Sequence, residues 1–291
     1  MSDQNPSPAT SPFARVTVLG LGVLGAQIAL QTAAHGVEVT GYDIDDAALQ
    51  VGRGRLDAFA QAAAGEMPDA DAYRGAPDRI RLTTDLADAV RQADLVIEAV
   101  PERLELKRDV WARVGAAAPA STVFATNSSS LLPSAIADAT GRPERFLALH
   151  FANHIWRQNT AEIMGTPATD TAIADSVEAF AVAIGMVPIR LHREQPGYVL
   201  NSLLIPLLGA AAELLVKGVA TPETIDTTWR VATGAPAGPF QIYDVVGLRT
   251  AYAIASTDPR SAVWAAYLKE HYLDKGLFGV CLLYTSDAAD E

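Results

Sequence analysis

The sequence predicts an α/β fold: a Rossmann-type doubly wound parallel sheet followed by a smaller all-α domain. Three observations predict it. Gly20, Gly22 and Gly25 form a GxGxxG turn between a β-branched apolar run and a helical run. Strand-like and helix-like patterns then alternate as far as Leu191. Beyond the polar Glu194–Gly197 stretch only helical patterns remain.

Taken in order, Arg15 to Leu19 is a buried strand, and Val23 to Ala34 is a helix that His35-Gly36 ends. Val37 to Tyr42 is a second strand, with Asp43 at its end. Asp45-Asp46 caps an alanine-rich helix over Ala47 to Ala64, and Gly65 to Pro77 reads as a loop. Arg79 to Thr83 is a short strand and Leu86 to Gln92 a helix leading into the strand Asp94 to Ala99. Pro101 opens a helix through Val114. Thr122 to Thr126 is a strand, Leu132 to Ala139 a short helix, and Phe146 to His150 a strand. A polar loop over 151–160 precedes a short strand at Glu162 to Met164, a helix from Asp170 to Ile184 and a last strand from Val187 to Leu191. Helices follow over Tyr198 to Lys217, Pro222 to Ala232 and Ser261 to Leu273.

These patterns divide the chain into a polar lead (1–12), read as disordered, a dinucleotide-binding domain (13–193) and a helical domain (194–280). The lead lacks the basic and apolar regions of a signal peptide. The last eleven residues, CLLYTSDAADE, break with the character of the chain and match a translated sequencing adapter, so Val280 is read as the last native residue. A single cysteine makes no internal disulfide and favours a cytoplasmic protein. A net charge of −12 disfavours a broad nucleic-acid or anionic-membrane surface. The longest apolar run, Val199 to Val216, is interrupted by Asn201, Pro206 and Glu213, unlike a membrane span. No metal-ligating cluster stands out.

The glycine turn has a physical reading. Gly20 permits the tight turn, Gly22 lets a pyrophosphate approach the backbone, and Gly25 lets helix and strand pack closely. The helix N-terminus offers free N–H groups to phosphate. Asp43 can accept hydrogen bonds from the adenosine ribose. It would also repel a 2′-phosphate, so NAD is expected over NADP. Polar groups gather at strand ends, where ligands bind in such sheets: Asn127-Ser128-Ser129-Ser130, then His150, with Glu162 twelve residues later and Asn201 early in the first helix beyond the linker. Oxidation of an alcohol needs a base, and histidine suits neutral pH. Each of these residues alone is also compatible with a structural role: a core histidine, a serine turn, a helix cap, a buried asparagine.

Several motifs together resemble the L-3-hydroxyacyl-CoA dehydrogenase family: GLGVLG (Gly20 to Gly25), DLVIEAVPE (Asp94 to Glu102) with Lys107, TNSSSL (Thr126 to Leu131), LHF (Leu149 to Phe151), AEIMG (Ala161 to Gly165), QPGYVLN (Gln195 to Asn201) and GAPAGPFQIYDVVGL (Gly234 to Leu248). The resemblance implies NAD as cofactor, an (S)-3-hydroxyacyl-CoA as substrate and a homodimer formed through the helical domain. It implies that His150 is the base, Glu162 its partner, and Ser129 and Asn201 the holders of the substrate oxygen. Glu102, Lys107 and Asn127 join Gly20, Gly22, Gly25 and Asp43 on the cofactor side. An exposed helix pair is the alternative for Glu102 and Lys107. The segment Phe151-Ala-Asn-His-Ile-Trp-Arg-Gln-Asn-Thr160 departs from the family's usual Asn-Pro continuation, which puts substrate preference in question; His154 reads as an exposed loop residue. The pattern after Lys275 to Val280 stops short of the family's glycine-rich end, a truncation that would weaken stability or dimer assembly. Related readings are an L-gulonate or carnitine dehydrogenase acting on a CoA-free hydroxy acid, or an NAD-binding relative without turnover.

Overall fold

A computed structural model describes residues 10–256 and 259–277. Most of the polar lead and all of the adapter-like segment lie outside the described residues. The chain divides into two units after Val199.

The first unit is built on strands β1 (Arg15–Leu19), β2 (Glu38–Tyr42), β3 (Ile80–Thr83), β4 (Leu95–Glu98), β5 (Val123–Thr126), β6 (Phe146–Phe151), β7 (Thr160–Gly165) and β8 (Val187–Leu191). Between them run helices α1 (Val23–Ala34), α2 (Asp46–Glu66), α3 (Ala70–Arg74), α4 (Leu86–Val90), α5 (Leu104–Ala117) and α6 (Thr171–Ala183). The sheet order is β3-β2-β1-β4-β5-β6-β7-β8. The order reverses between β1 and β4, which creates the crevice at the carboxyl ends of the strands where such folds bind ligands.

β1, β4, β5 and β6 are fully or almost fully buried, and their continuous apolar runs match a sheet covered on both faces. One apolar cluster packs Val16, Val18, Ile97 and Leu149 against α1 and α2, with Ile28, Leu30 and Leu56 fully buried. A second packs Trp111 of α5 between Phe124 and Phe146, each ring 5.2 Å away.

Three features depart from the sequence-based expectation. β7 runs antiparallel to β6, so the sheet is mostly rather than wholly parallel. The eight residues between them form a hairpin loop, too short for the crossover a parallel pair requires. The Gly65–Pro77 stretch contains the short helix α3, closed by Gly75. The expected helix at Leu132 to Ala139 is instead two 3₁₀ turns, Pro133–Ala135 and Ala137–Thr140, broken at Ile136.

The second unit contains α7 (Leu200–Val216), α8 (Pro222–Thr233), α9 (Pro239–Val246), α10 (Leu248–Ala255) and α11 (Ala262–His271). The sequence pattern gave no sign of α9 and α10, each eight residues long. Buried Asp226 of α8 fixes the start of α9 by accepting the backbone N–H groups of Phe240 (2.8 Å) and Gln241 (3.0 Å). Phe240, Tyr243, Leu248, Trp264 and Leu268 form the core of this unit. No helix among the described residues is long and apolar enough to cross a membrane.

The division falls after Val199 rather than at Glu194 because the intervening residues are held by the first unit. The Gln195 N–H contacts Met164 Sδ at 3.1 Å, the Tyr198 hydroxyl donates to Ser128 O at 2.6 Å, and the Val199 N–H donates to Glu162 Oε1 at 2.9 Å.

Candidate active site

The glycine turn has the shape a dinucleotide requires. Gly20 has φ +88°, and a Cβ there would lie 2.9 Å from Ala99 O. A Cβ on Gly25 would lie 1.8 Å from Gly20 O, so only glycine lets α1 approach β1 this closely. At Gly22 a Cβ would meet nothing within 4 Å; this position opens onto the free N-terminus of α1, whose cap has no side-chain hydrogen bond. Asp43 is held beside the turn, its Oδ2 accepting the Leu21 N–H at 2.8 Å and its Oδ1 the Ile44 N–H at 2.8 Å. Each oxygen keeps a lone pair for a ribose hydroxyl. Of the two nearby arginines, Arg53 pairs with Asp57 and Asp78, and Arg55 donates to Leu21 O. The residues present thus fit NAD at this end of the sheet.

The antiparallel β6–β7 hairpin creates the second constellation. Its register sets His150 directly opposite Glu162. Opposed residues on such strands bring their side chains onto the same face. His150 Nδ1 lies 3.0 Å from Glu162 Oε2, and both side chains are buried. The other ring nitrogen, Nε2, lies 3.1 Å from the hydroxyl of exposed Ser129. With Glu162 ionised, the proton of neutral His150 belongs on Nδ1, which leaves the Nε2 lone pair turned toward Ser129 and whatever oxygen comes beside it.

The serine turn is fixed from below. Glu102 Oε1 accepts the Ser128 hydroxyl at 2.5 Å, the Ser130 N–H at 2.8 Å and the Ser130 hydroxyl at 2.9 Å. Burial acts to raise the Glu102 carboxyl, but these hydrogen bonds and the Lys107 charge outweigh it and bring it down to about 2. Lys107 is not part of an exposed helix pair: it is 1% exposed and ion-paired with buried Glu98 at 2.5 Å. It also donates to Val100 O at 3.1 Å and lies 3.3 Å from Glu102. Glu102 itself precedes α5. Asn127 Oδ1 accepts the Phe151 N–H at 3.0 Å and so ties the end of β5 to the end of β6.

Sequence reasoning passed over Tyr198. Its ring lies on the imidazole of His150, centroids 4.4 Å apart and planes 11° apart. It is buried with φ +54°. Burial pushes its phenol well above the usual tyrosine range, and the negative charges of Glu102, Glu162 and Glu98 push it further the same way. The Pro196-Gly197 pair marked a turn in the sequence, but nothing there showed where the next side chain lands. The loop after Phe151 is held against α1 and α2. Buried Gln27 donates to Asn153 Oδ1 at 2.7 Å and accepts the Ile155 N–H at 3.2 Å, and the Trp156 indole donates to Glu66 at 3.2 Å. His154 is exposed, with φ +58°. Asn201 lies on α7 in the second unit.

Residues 15–195 match the family profile for the 3-hydroxyacyl-CoA dehydrogenase NAD-binding domain, and residues 197–280 the profile for its C-terminal domain. The chain is 36% identical over 241 residues to the human mitochondrial hydroxyacyl-coenzyme A dehydrogenase, covering 81% of this chain and 76% of that one. Among solved structures it is similar to a diketoreductase described in catalysis of dicarbonyl compounds, with 58% identity, TM-score 0.89 and coverage of 93% of this chain and 96% of that one. It is also similar to the (S)-3-hydroxybutyryl-CoA dehydrogenase of Ralstonia eutropha, with 29% identity, TM-score 0.76 and coverage of 92% and 95%.

Proposed function

The chain belongs to the 3-hydroxyacyl-CoA dehydrogenase family of NAD-binding oxidoreductases, and from that premise we propose that it interconverts a 3-hydroxy and a 3-oxo compound, with His150 as the base. The observation that carries this reading is the opposed His150–Glu162 pair whose free Nε2 faces Ser129.

When bound, NAD supplies the acceptor for the hydride leaving the carbinol carbon. His150 Nε2 takes the hydroxyl proton. Glu162 keeps the imidazole in the productive tautomer and stabilises the imidazolium as it forms, while Ser129, and Asn201 by family analogy, hold the substrate oxygen. In the reverse direction the imidazolium returns the proton to the carbonyl oxygen. Gly20, Gly22 and Gly25 admit the pyrophosphate and Asp43 the ribose. Glu102 and Lys107 act on the cofactor side chiefly by fixing the turn that carries Ser129, and Asn127 by tying that turn's strand to β6.

Family membership makes an (S)-3-hydroxyacyl-CoA the first substrate reading. A second reading, a CoA-free 1,3-dicarbonyl, is favoured by the 58% identical diketoreductase. Initial rates of NADH oxidation with acetoacetyl-CoA and with a CoA-free 1,3-dicarbonyl, on the same preparation, decide between them. Turnover of neither defeats the proposal.

The homodimer is part of the same reading. In the second unit an apolar cavity of about 520 Å³ is lined by Ile205, Leu208, Tyr243 and Trp264, and Leu203, Ile205 and Val263 are exposed. Sedimentation at micromolar concentration checks it; a monomer there contradicts it.

A further inference from the structure

The short segment Gly197–Val199 touches His150, Glu162 and the serine turn. The Tyr198 ring covers one face of the His150 imidazole. Its hydroxyl donates to the backbone carbonyl of Ser128, the residue before Ser129. The next peptide N–H, that of Val199, donates to Glu162 Oε1, the oxygen that His150 does not use. One turn of chain thus touches His150, Glu162 and the turn that carries Ser129.

The backbone conformation makes this arrangement specific. A buried aromatic residue at φ +54° sits in the left-handed region that side-chain-bearing residues rarely enter. Such a conformation persists where surrounding contacts over-determine it, and here they do: the ring packs with Ala148 and Met164, and the hydroxyl is anchored on the serine turn. An imidazole held by hydrogen bonds at its two nitrogens can still rock about the line joining them. A flat ring at 4.4 Å, parallel to within 11°, opposes that rocking and excludes water from that face.

We propose that Tyr198 is a positioning residue for the proton transfer, holding the His150 ring in plane and tying it to the serine turn. The inference rests on His150 being the base. Tyr198 touches neither the transferred proton nor the substrate; it acts through the imidazole and through Ser128. The stack and the hydroxyl tether are separable. Tyr198→Phe keeps the ring and removes the tether, whereas Tyr198→Leu removes both.

The test compares parent, Tyr198→Phe, Tyr198→Leu and His150→Ala, using whichever 3-oxo substrate the parent turns over. It reads kcat, KM, NADH affinity by fluorescence, melting temperature, and the primary isotope effect with NADH deuterated at the transferred position. Tyr198→Phe is expected to lose about threefold in kcat and Tyr198→Leu about thirtyfold, in proportion to the contacts removed. NADH affinity stays unchanged. The isotope effect on kcat rises in Tyr198→Leu as the chemical step becomes slower, which a simple loss of folded enzyme does not produce. Should Tyr198→Leu not fold, Tyr198→Phe and Tyr198→Met carry the same comparison. Parental kcat and isotope effect in the folded variants that lack the aromatic ring overturn the inference while His150→Ala stays inactive. An active His150→Ala instead overturns the reading on which it rests.

Discussion

Two buried acid–base pairs stand two strands apart in the same sheet, and they differ in what their atoms have left to bind. Lys107 Nζ has three N–H groups and three acceptors in reach: Glu98 Oε1, Val100 O and Glu102 Oε2. Glu98 is used as fully, by Lys107 and the Val100 N–H on one oxygen and by the Thr126 hydroxyl on the other. His150 and Glu162 are buried almost as deeply, yet among the described residues Nε2 meets only the hydroxyl of exposed Ser129. Ion pairing and burial are therefore common to both. What distinguishes a fastener from a reactive group is whether an atom remains open to a ligand. A buried pair with every valence used holds the chain, and one with a lone pair aimed at an accessible hydroxyl can move a proton.

Breaking each pair should have different consequences. Lys107→Met leaves Glu98 charged and unpaired in the sheet, a change worth roughly 3–5 kcal/mol of stability. Urea unfolding should show most of that loss, and an unaltered midpoint would refute the role given to Lys107. Glu162→Gln should leave the midpoint close to the parent's but reduce kcat about 100-fold, since the imidazole loses the partner that fixes its tautomer. Steady-state kinetics beside a melting curve checks both halves.

Smaller effects concern the cofactor end. A carboxylate about 4 Å from a phosphate charge is repelled by about 4 kcal/mol at an effective dielectric of 20, and by less where water intervenes. Asp43→Ser should therefore raise kcat/KM with NADPH relative to NADH by at least about tenfold. Equal use of the two cofactors by the parent would show that Asp43 does not select. The smallest effect is that of pH on Glu102. Its folded value of about 2 lies below the ordinary carboxylate range, so its stabilisation is fully present above about pH 4.5 and is lost as pH falls toward 2. The side chain is 37% exposed, so solvent screening keeps the effect small. Comparing the acid unfolding of the parent with that of Glu102→Gln isolates it: the variant should show a weaker dependence over that window.

The legible parts of the molecule were those governed by local rules. The strand at Arg15–Leu19 and the helix at Val23–Ala34 fall where the β-branched run and the three glycines put them. His150 and Glu162 stand out as polar residues at strand ends, but their pairing is read only from the resemblance of their flanking motifs to a known family. Strand direction does not show in apolar alternation, which is the same read either way; the short 151–160 connection was the signal that was missed. The antiparallel turn at β7 is nonetheless what sets the two residues face to face. Helices α9 and α10 escaped because each is short and the Gly247 between them, at φ +87°, interrupts the pattern. Tyr198 escaped for a related reason: its left-handed backbone is imposed by the ring stack and the Ser128 tether, both contacts across long sequence separations. Lys107 reads in the sequence as a cofactor-side residue, with an exposed helix pair as the alternative, because nothing in the spacing of Glu102 and Lys107 reveals that buried Glu98 is its partner.

The central claim is that the open nitrogen of His150 carries the proton. The direct measurement is kcat for reduction of the 3-oxo substrate by His150→Ala at saturating NADH, with NADH affinity and melting temperature measured on the same sample. The account predicts a loss of about 10³-fold in kcat, within the range assigned to a general acid–base group, in a variant that remains folded and keeps a cofactor affinity close to the parent's. A folded His150→Ala enzyme that binds NADH and turns over within a few-fold of the parent would contradict it.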